Sequence, residues 1–478
     1  MRKKYIYALA TLFVMGFSGC DHLGDFDDTN VNPAATTDPI IGALLTNVQA
    51  TLGTYASMTR PALYSQYFSE TQYTEVSLYS APQLPFTPEY AGVLNDLQNI
   101  IDQDQNNNMT QVARILQQYI FWTITDRWGD VPYSEALKGD GTPKYDRQED
   151  IYKGILSTLT DAVAKFDNSL ITGDVVYGGD VASWKKMANS LRMLVALQLS
   201  KKVPAPGGFA ATEFKAALTN PAGYISTNAQ NFDVNYPGGN FKSNWWLLYN
   251  GRKDFAESKT MTDLLSSLGD TRSNPYGGAT ELAGQPNSNA TSSVGVPYGL
   301  TRSNAEAFTS ANANWARVLR GDLRTETGTV VLISAAQVAL ARAEAANYGW
   351  TTEDLVSTYN EGIALSFGQW GAAMPASYTT QGNVALGAPG TADNLKKIAT
   401  QRYIASYPDG LQGWNIWRKT GYPELTPAPA ATNASKLIPR KYIYETGEYA
   451  SNKASVDEAV ARIPGGDTQD SRVWWDQQ

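Results

Sequence analysis

The chain has 478 residues, 42 % apolar and 18 % charged, long enough and apolar enough to bury a large core. Its formal net charge of −8, without clusters of Lys and Arg, argues against nucleic acid as a partner. One cysteine, Cys20, and one histidine, His22, both near the start, take Ser-His-Asp and Cys-His catalysis, structural zinc and disulfides away from the body of the protein.

Taken in order, residues 1–19 read as an export signal. Arg2, Lys3 and Lys4 precede an apolar run from Tyr5 to Phe17 that is too short to span a bilayer. Phe17-Ser18-Gly19-Cys20 resembles a bacterial lipobox, in which the cysteine is lipidated and becomes the mature N-terminus; the other reading is an ordinary signal peptide that contains a cysteine. Acyl chains on Cys20 would anchor the protein to a membrane without a transmembrane helix. Residues 20–38 then form an acidic tether. Asp27, Asp28, Asn30 and Asn32 offer oxygens to a hard cation such as Ca, but without a recognisable loop spacing. No cofactor or other metal is expected.

From 39 onward the chain reads as one mainly helical domain to 478. A helix is expected over 39–52, followed by a Tyr-rich stretch with Tyr64, Tyr67, Tyr73, Tyr79 and Tyr90 that mixes core and surface roles. Val112, Ile115, Leu116, Tyr119 and Trp122 recur at helical spacing, and Asp126, Trp128, Gly129 and Asp130 end that helix ahead of Pro132. This acidic, aromatic exit either presents Asp126, Trp128 and Asp130 to a ligand or closes a packed helix; the spacing favours packing. Further helices are expected over 149–166, 181–202 and 212–218.

Residues 221–328 change character. Asn, Ser, Gly and Thr dominate, with one helix near 258–268 and several Trp and Tyr set among them. So long a loop region in a compact protein usually carries function, and disordered linkers lack such aromatics. Trp245, Trp246, Tyr249, Asn250 and Arg252 place flat rings beside amides and charge, as do Tyr276, Tyr298 and Arg302 more loosely. Rings of this kind stack on sugar faces while polar groups bond hydroxyls, so these eight are the candidate ligand-binding residues. The alternative is that Trp245 and Trp246 cap the helical core.

Helical order returns at 333–348, rich in Ala, and continues through Leu355, Tyr359, Ile363, Phe367 and Trp370. The pair resembles a tetratricopeptide unit, with small residues where the two helices cross. Helices over 393–407 and 410–422 follow, and the Trp474-Trp475 tail is expected to dock.

Several stretches together resemble the SusD/RagB family of outer-membrane nutrient-binding lipoproteins, in its SusD-like branch. They are Asn30 to Pro33, Ala113 to Leu116, Trp128 to Leu137, Tyr177 to Asp180, Ala188 to Arg192, Ala343 to Ala346, Gly413 to Pro423 and Arg472 to Asp476. Asp270-Thr271-Arg272 departs from the family, which usually has proline between Asp and Arg. The resemblance implies a tetratricopeptide-like helix-pair scaffold with long ligand-binding loops, no enzymatic activity, and a place on the outer membrane facing the cell exterior. It also implies oligosaccharide or peptide ligands and a SusC-like TonB-dependent transporter as partner. It makes the Trp128-Gly129-Asp130 stretch scaffold. A glycosidase with paired carboxylates is the reading it opposes.

Overall fold

The computed structural model describes residues 40–80, 83–279 and 288–477. The expected lipidation at Cys20 and the possible cation ligands Asp27 to Asn32 lie outside them. The unit Ile41–Gln478 is built chiefly from helices that stack on one another in series.

In the first half, α1 (Ile41–Thr51) is followed by the short α2 (Thr59–Tyr64). Then α3 (Asn95–Gln103) packs against α1, and α4 (Asn107–Trp128), α5 (Gln148–Lys165), α6 (Val181–Gln198) and α7 (Phe209–Leu218) each pack on the one before. Asn106 and Asp180 cap α4 and α6 through their side chains, satisfying N–H groups that a helix start leaves open. The second half repeats the device. It runs α8 (Asn244–Leu247), α9 (Lys259–Leu268), α10 (Arg302–Ala311), α11 (Ala335–Asn347), α12 (Leu355–Gln369), α13 (Ala392–Ser406) and α14 (Gly410–Thr420). Here α11 packs on α12 and α13, α13 on α14, and α14 returns to α2 near the start.

Close helix approach follows from small side chains. A Cβ on Gly362 of α12 would meet Leu340 Cγ of α11 at 2.6 Å, so only glycine fits that crossing. This is the tetratricopeptide-like pairing expected from the Ala-rich run.

The helix exit at 126–130 is scaffold. Trp128 is buried, edge-on to Phe86 and Tyr442, and Gly129 turns the chain at φ 87°. Asp126 is fully enclosed. Its Oδ1 accepts from Trp475 Nε1 at 2.9 Å and from the Tyr152 hydroxyl, its Oδ2 from Asn415 Nδ2 at 2.6 Å. Burial pushes its pKa up to about 6. Asp130 accepts from Gln148 N at 2.8 Å and Arg462 Nε at 2.7 Å. The tail therefore docks through Trp475, as its paired tryptophans suggest.

Asp270 and Arg272, which in this chain flank Thr271, form a fully buried ion pair at 2.6 Å. Ser366 and Gln401 accept further N–H groups of Arg272. With donors and acceptors both met, this buried charge is tolerated.

Loops 221–328 are tied down by short strands whose partners lie far along the chain. β1 (Phe68–Glu70) pairs with β3 (Phe255–Glu257), β2 (Phe232–Val234) with β6 (Val330–Ile333), and β4 (Gly277–Gly278) with β5 (Arg317–Val318), all antiparallel.

Candidate functional site

Beneath the loop region lies a small second core of Ala256, Val296 and Trp315, with Tyr249 and Phe308 packed on its edge. Arg317 lies 3.7 Å over the Trp315 ring and donates to the Trp315 carbonyl at 2.6 Å. Tyr249 joins two strands: its hydroxyl donates to Phe255 O at 2.9 Å and accepts from Val318 N at 2.7 Å. Phe308 seats α10, and α10 carries Arg302 at its start.

The register Glu70↔Phe255 sets Thr71 and Gln72 beside Lys253 and Asp254. Thr71 N donates to Asp254 O at 2.9 Å, the Gln72 side-chain amide donates to the Asp254 carboxylate, and Arg252 Nε meets that carboxylate at 2.8 Å. The turn over 71–77 is closed by Glu70, whose Oε2 accepts from Ser77 N at 2.8 Å and from its hydroxyl at 2.6 Å. Burial raises Glu70 to about 7. At the outer end of this construction stands Tyr73, 48 % exposed, more open than any other Tyr or Trp among the described residues. The Arg302 guanidinium lies 5.3 Å from its ring centroid and is held by Glu306 at 2.8 Å. An exposed tyrosine ring partly covered by one guanidinium, with a second exposed arginine tied to the neighbouring Gln72 through Asp254, thus forms a patch backed by the paired strands.

Of the eight sequence candidates, Arg252 and Arg302 belong to this patch. Tyr249 supports it from below, and Asn250 is exposed on the same connecting segment. Trp246 is half-buried with Lys242 Nζ 4.1 Å over its ring. Trp245, Tyr276 and Tyr298 are buried. Tyr276 is stacked on Tyr407 at 4.4 Å with its hydroxyl bonded to Ile404 O at 2.9 Å, and Tyr298 packs in the main core. Tyr276 therefore offers no ring face to solvent. Tyr73 was not among the candidates. Its signal was weak: a tyrosine between Gln72 and Thr74, in a stretch where Tyr64, Tyr67 and Tyr79 are buried.

Among the described residues no group of three or more His, Cys, Asp or Glu is placed to hold a metal ion. No helix among them is long and apolar enough to cross a membrane.

A family model for SusD-like proteins, described as starch-binding associating with outer membrane, matches residues 32–445. No curated protein matches the chain. Among solved structures, a SusD homolog from Bacteroides uniformis aligns at 24 % identity and TM-score 0.80, covering 92 % of this chain and 99 % of that one. A chitin-binding SusD homolog from Flavobacterium johnsoniae aligns at 23 % identity and TM-score 0.78, over 92 % and 99 %. A structure titled chitin-binding protein aligns at 26 % identity and TM-score 0.76, over 92 % and 100 %.

Proposed function

Because the chain belongs to the SusD-like family, whose model is described as starch-binding and outer-membrane-associated, we propose that it captures oligosaccharides at the cell surface and delivers them to a SusC-like TonB-dependent transporter. In this reading Cys20 carries the lipid that holds the protein on the outer membrane, facing outward, and the protein is not an enzyme.

The observation that carries the ligand class is the patch around Tyr73. The exposed Tyr73 ring, with the Arg302 guanidinium over it, stands on a loop clasped by Glu70, and Gln72 beside it shares Asp254 with the exposed Arg252. Sugar rings present C–H faces that stack on aromatics and hydroxyls that accept from arginine, so such a patch suits a glycan. The starch-binding family description and the two chitin-binding relatives support the same class.

The experiment is a melting-temperature screen of the full chain against starch, chitin and fructan oligosaccharides and peptide mixtures. A rise with one oligosaccharide class is expected. A rise with peptides alone would overturn the glycan reading, and co-purification without any transporter would overturn the delivery role.

A further inference from the structure

Trp245 lines a cavity of about 490 Å³, of a size that holds a small organic ligand. Two of its walls are aromatic. Trp245 is 3 % exposed, and Trp370 stands edge-on to Tyr276 at 5.2 Å. Its polar lining is unbalanced. Asn228 Oδ1, Gln369 Oε1 and Trp370 Nε1 are buried atoms with no hydrogen-bond partner among the described residues, an arrangement that normally costs stability.

Two carboxylates face the same space. Asp409 is 4 % exposed; its Oδ1 accepts from Leu411 N at 3.0 Å and Gln412 N at 3.2 Å and caps α14. Asp233 on β2 accepts from Asn235 Nδ2 at 3.1 Å. Among the described residues neither is paired with Lys or Arg, and no Lys, Arg or His lines the cavity. A third, Asp322, is neutralised by Arg320 at 2.6 Å. Burial raises Asp409 to about 8 and Asp233 to about 6, and no basic group lies near enough to offset it.

The cavity therefore combines two unpartnered amide oxygens, an unpartnered indole N–H, two carboxylates without a basic partner among the described residues, and flat aromatic walls. We propose that this cavity is a second ligand site, separate from the Tyr73 patch, and that it takes a small polyol bearing a protonated amine, of the amino-sugar class. The ammonium faces Asp409 and Asp233, hydroxyls donate to Asn228 Oδ1 and Gln369 Oε1, and the pyranose ring lies against the tryptophans.

Calorimetric titration of the full chain with glucosamine, glucose, N-acetylglucosamine and diglycine tests this. Glucosamine is expected to bind at least about tenfold more tightly than glucose or N-acetylglucosamine, a factor worth about 1.4 kcal/mol. Asp409→Asn, which preserves the helix cap, and Asp233→Asn should each weaken it by about tenfold, and Tyr73→Ala should leave it unchanged. Circular dichroism confirms that each variant is folded; if one is not, the other decides. Equal binding of the three sugars, binding undiminished in the folded carboxylate variants, or no binding at all would overturn the proposal. A preference for diglycine would overturn the sugar class. None of these results touches the Tyr73 patch, whose own variant is read with oligosaccharides.

Discussion

Trp128 and Tyr73 show how little a side chain's identity says about its work. Trp128 sits in a conspicuous acidic turn yet is enclosed by Phe86, Tyr442 and Arg127, the last 4.6 Å from its ring. Trp128→Ala should cost about 3–5 kcal/mol of stability, read by denaturant melting, while oligosaccharide affinity per folded molecule stays unchanged. Helical spacing and a following glycine made that outcome legible. Tyr276 was not legible: a tyrosine in a loop-rich stretch looks available, and it is enclosed by Tyr407 and Trp370, brought in from distant helix ends. At this scale the buried acids also set a pH response. Asp409 has a native pKa near 8, well above its ordinary 3.8. Between those values the native state keeps a proton that the unfolded chain has lost, so stability falls as pH rises, by roughly 1 kcal/mol per pH unit. Asp409→Asn should flatten that part of the pH–stability curve and gain on the wild type progressively above pH 4.

The elements divide by the range of the forces that make them. Helices such as α4, α6 and α11 carry their own period, caps and stops, and the expected bounds over 39–52, 393–407 and 410–422 differ from α1, α13 and α14 by a residue or two. The helix-pair crossing was likewise visible in its small residues. Gly362→Ala should destabilise the protein by about 1–3 kcal/mol, since Leu340 and its backbone N must move. A melting temperature lowered with ligand affinity intact would confirm a purely structural role. The strands were not legible at all. They are two to four residues long and exist only because partners far along the chain complete them, β1 with β3 above all. That pairing is what sets Gln72 and Arg252 on the same Asp254, next to Tyr73, so the candidate surface had to be missed in part by any local reading. Arg252 and Arg302 were found because exposed charge among loop aromatics is a local signal.

At the scale of the whole molecule, two ends of the helical series meet. α14 packs on α2, and the tail plugs the junction by placing Trp475 on Asp126 and Asp476 on Lys201 and Arg440, each at 2.7 Å. The scaffold is thereby closed and self-supporting, and the loops between its halves are free to carry binding. The separation predicts that core substitutions act on stability and loop substitutions act on affinity. The most direct test is the oligosaccharide affinity of folded Tyr73→Ala, measured by calorimetry against the wild type with the glycan that raises its melting temperature most. A loss of about tenfold or more with an unchanged melting temperature is predicted. Unchanged affinity in that variant would contradict the assignment of the Tyr73 patch as the glycan-binding surface.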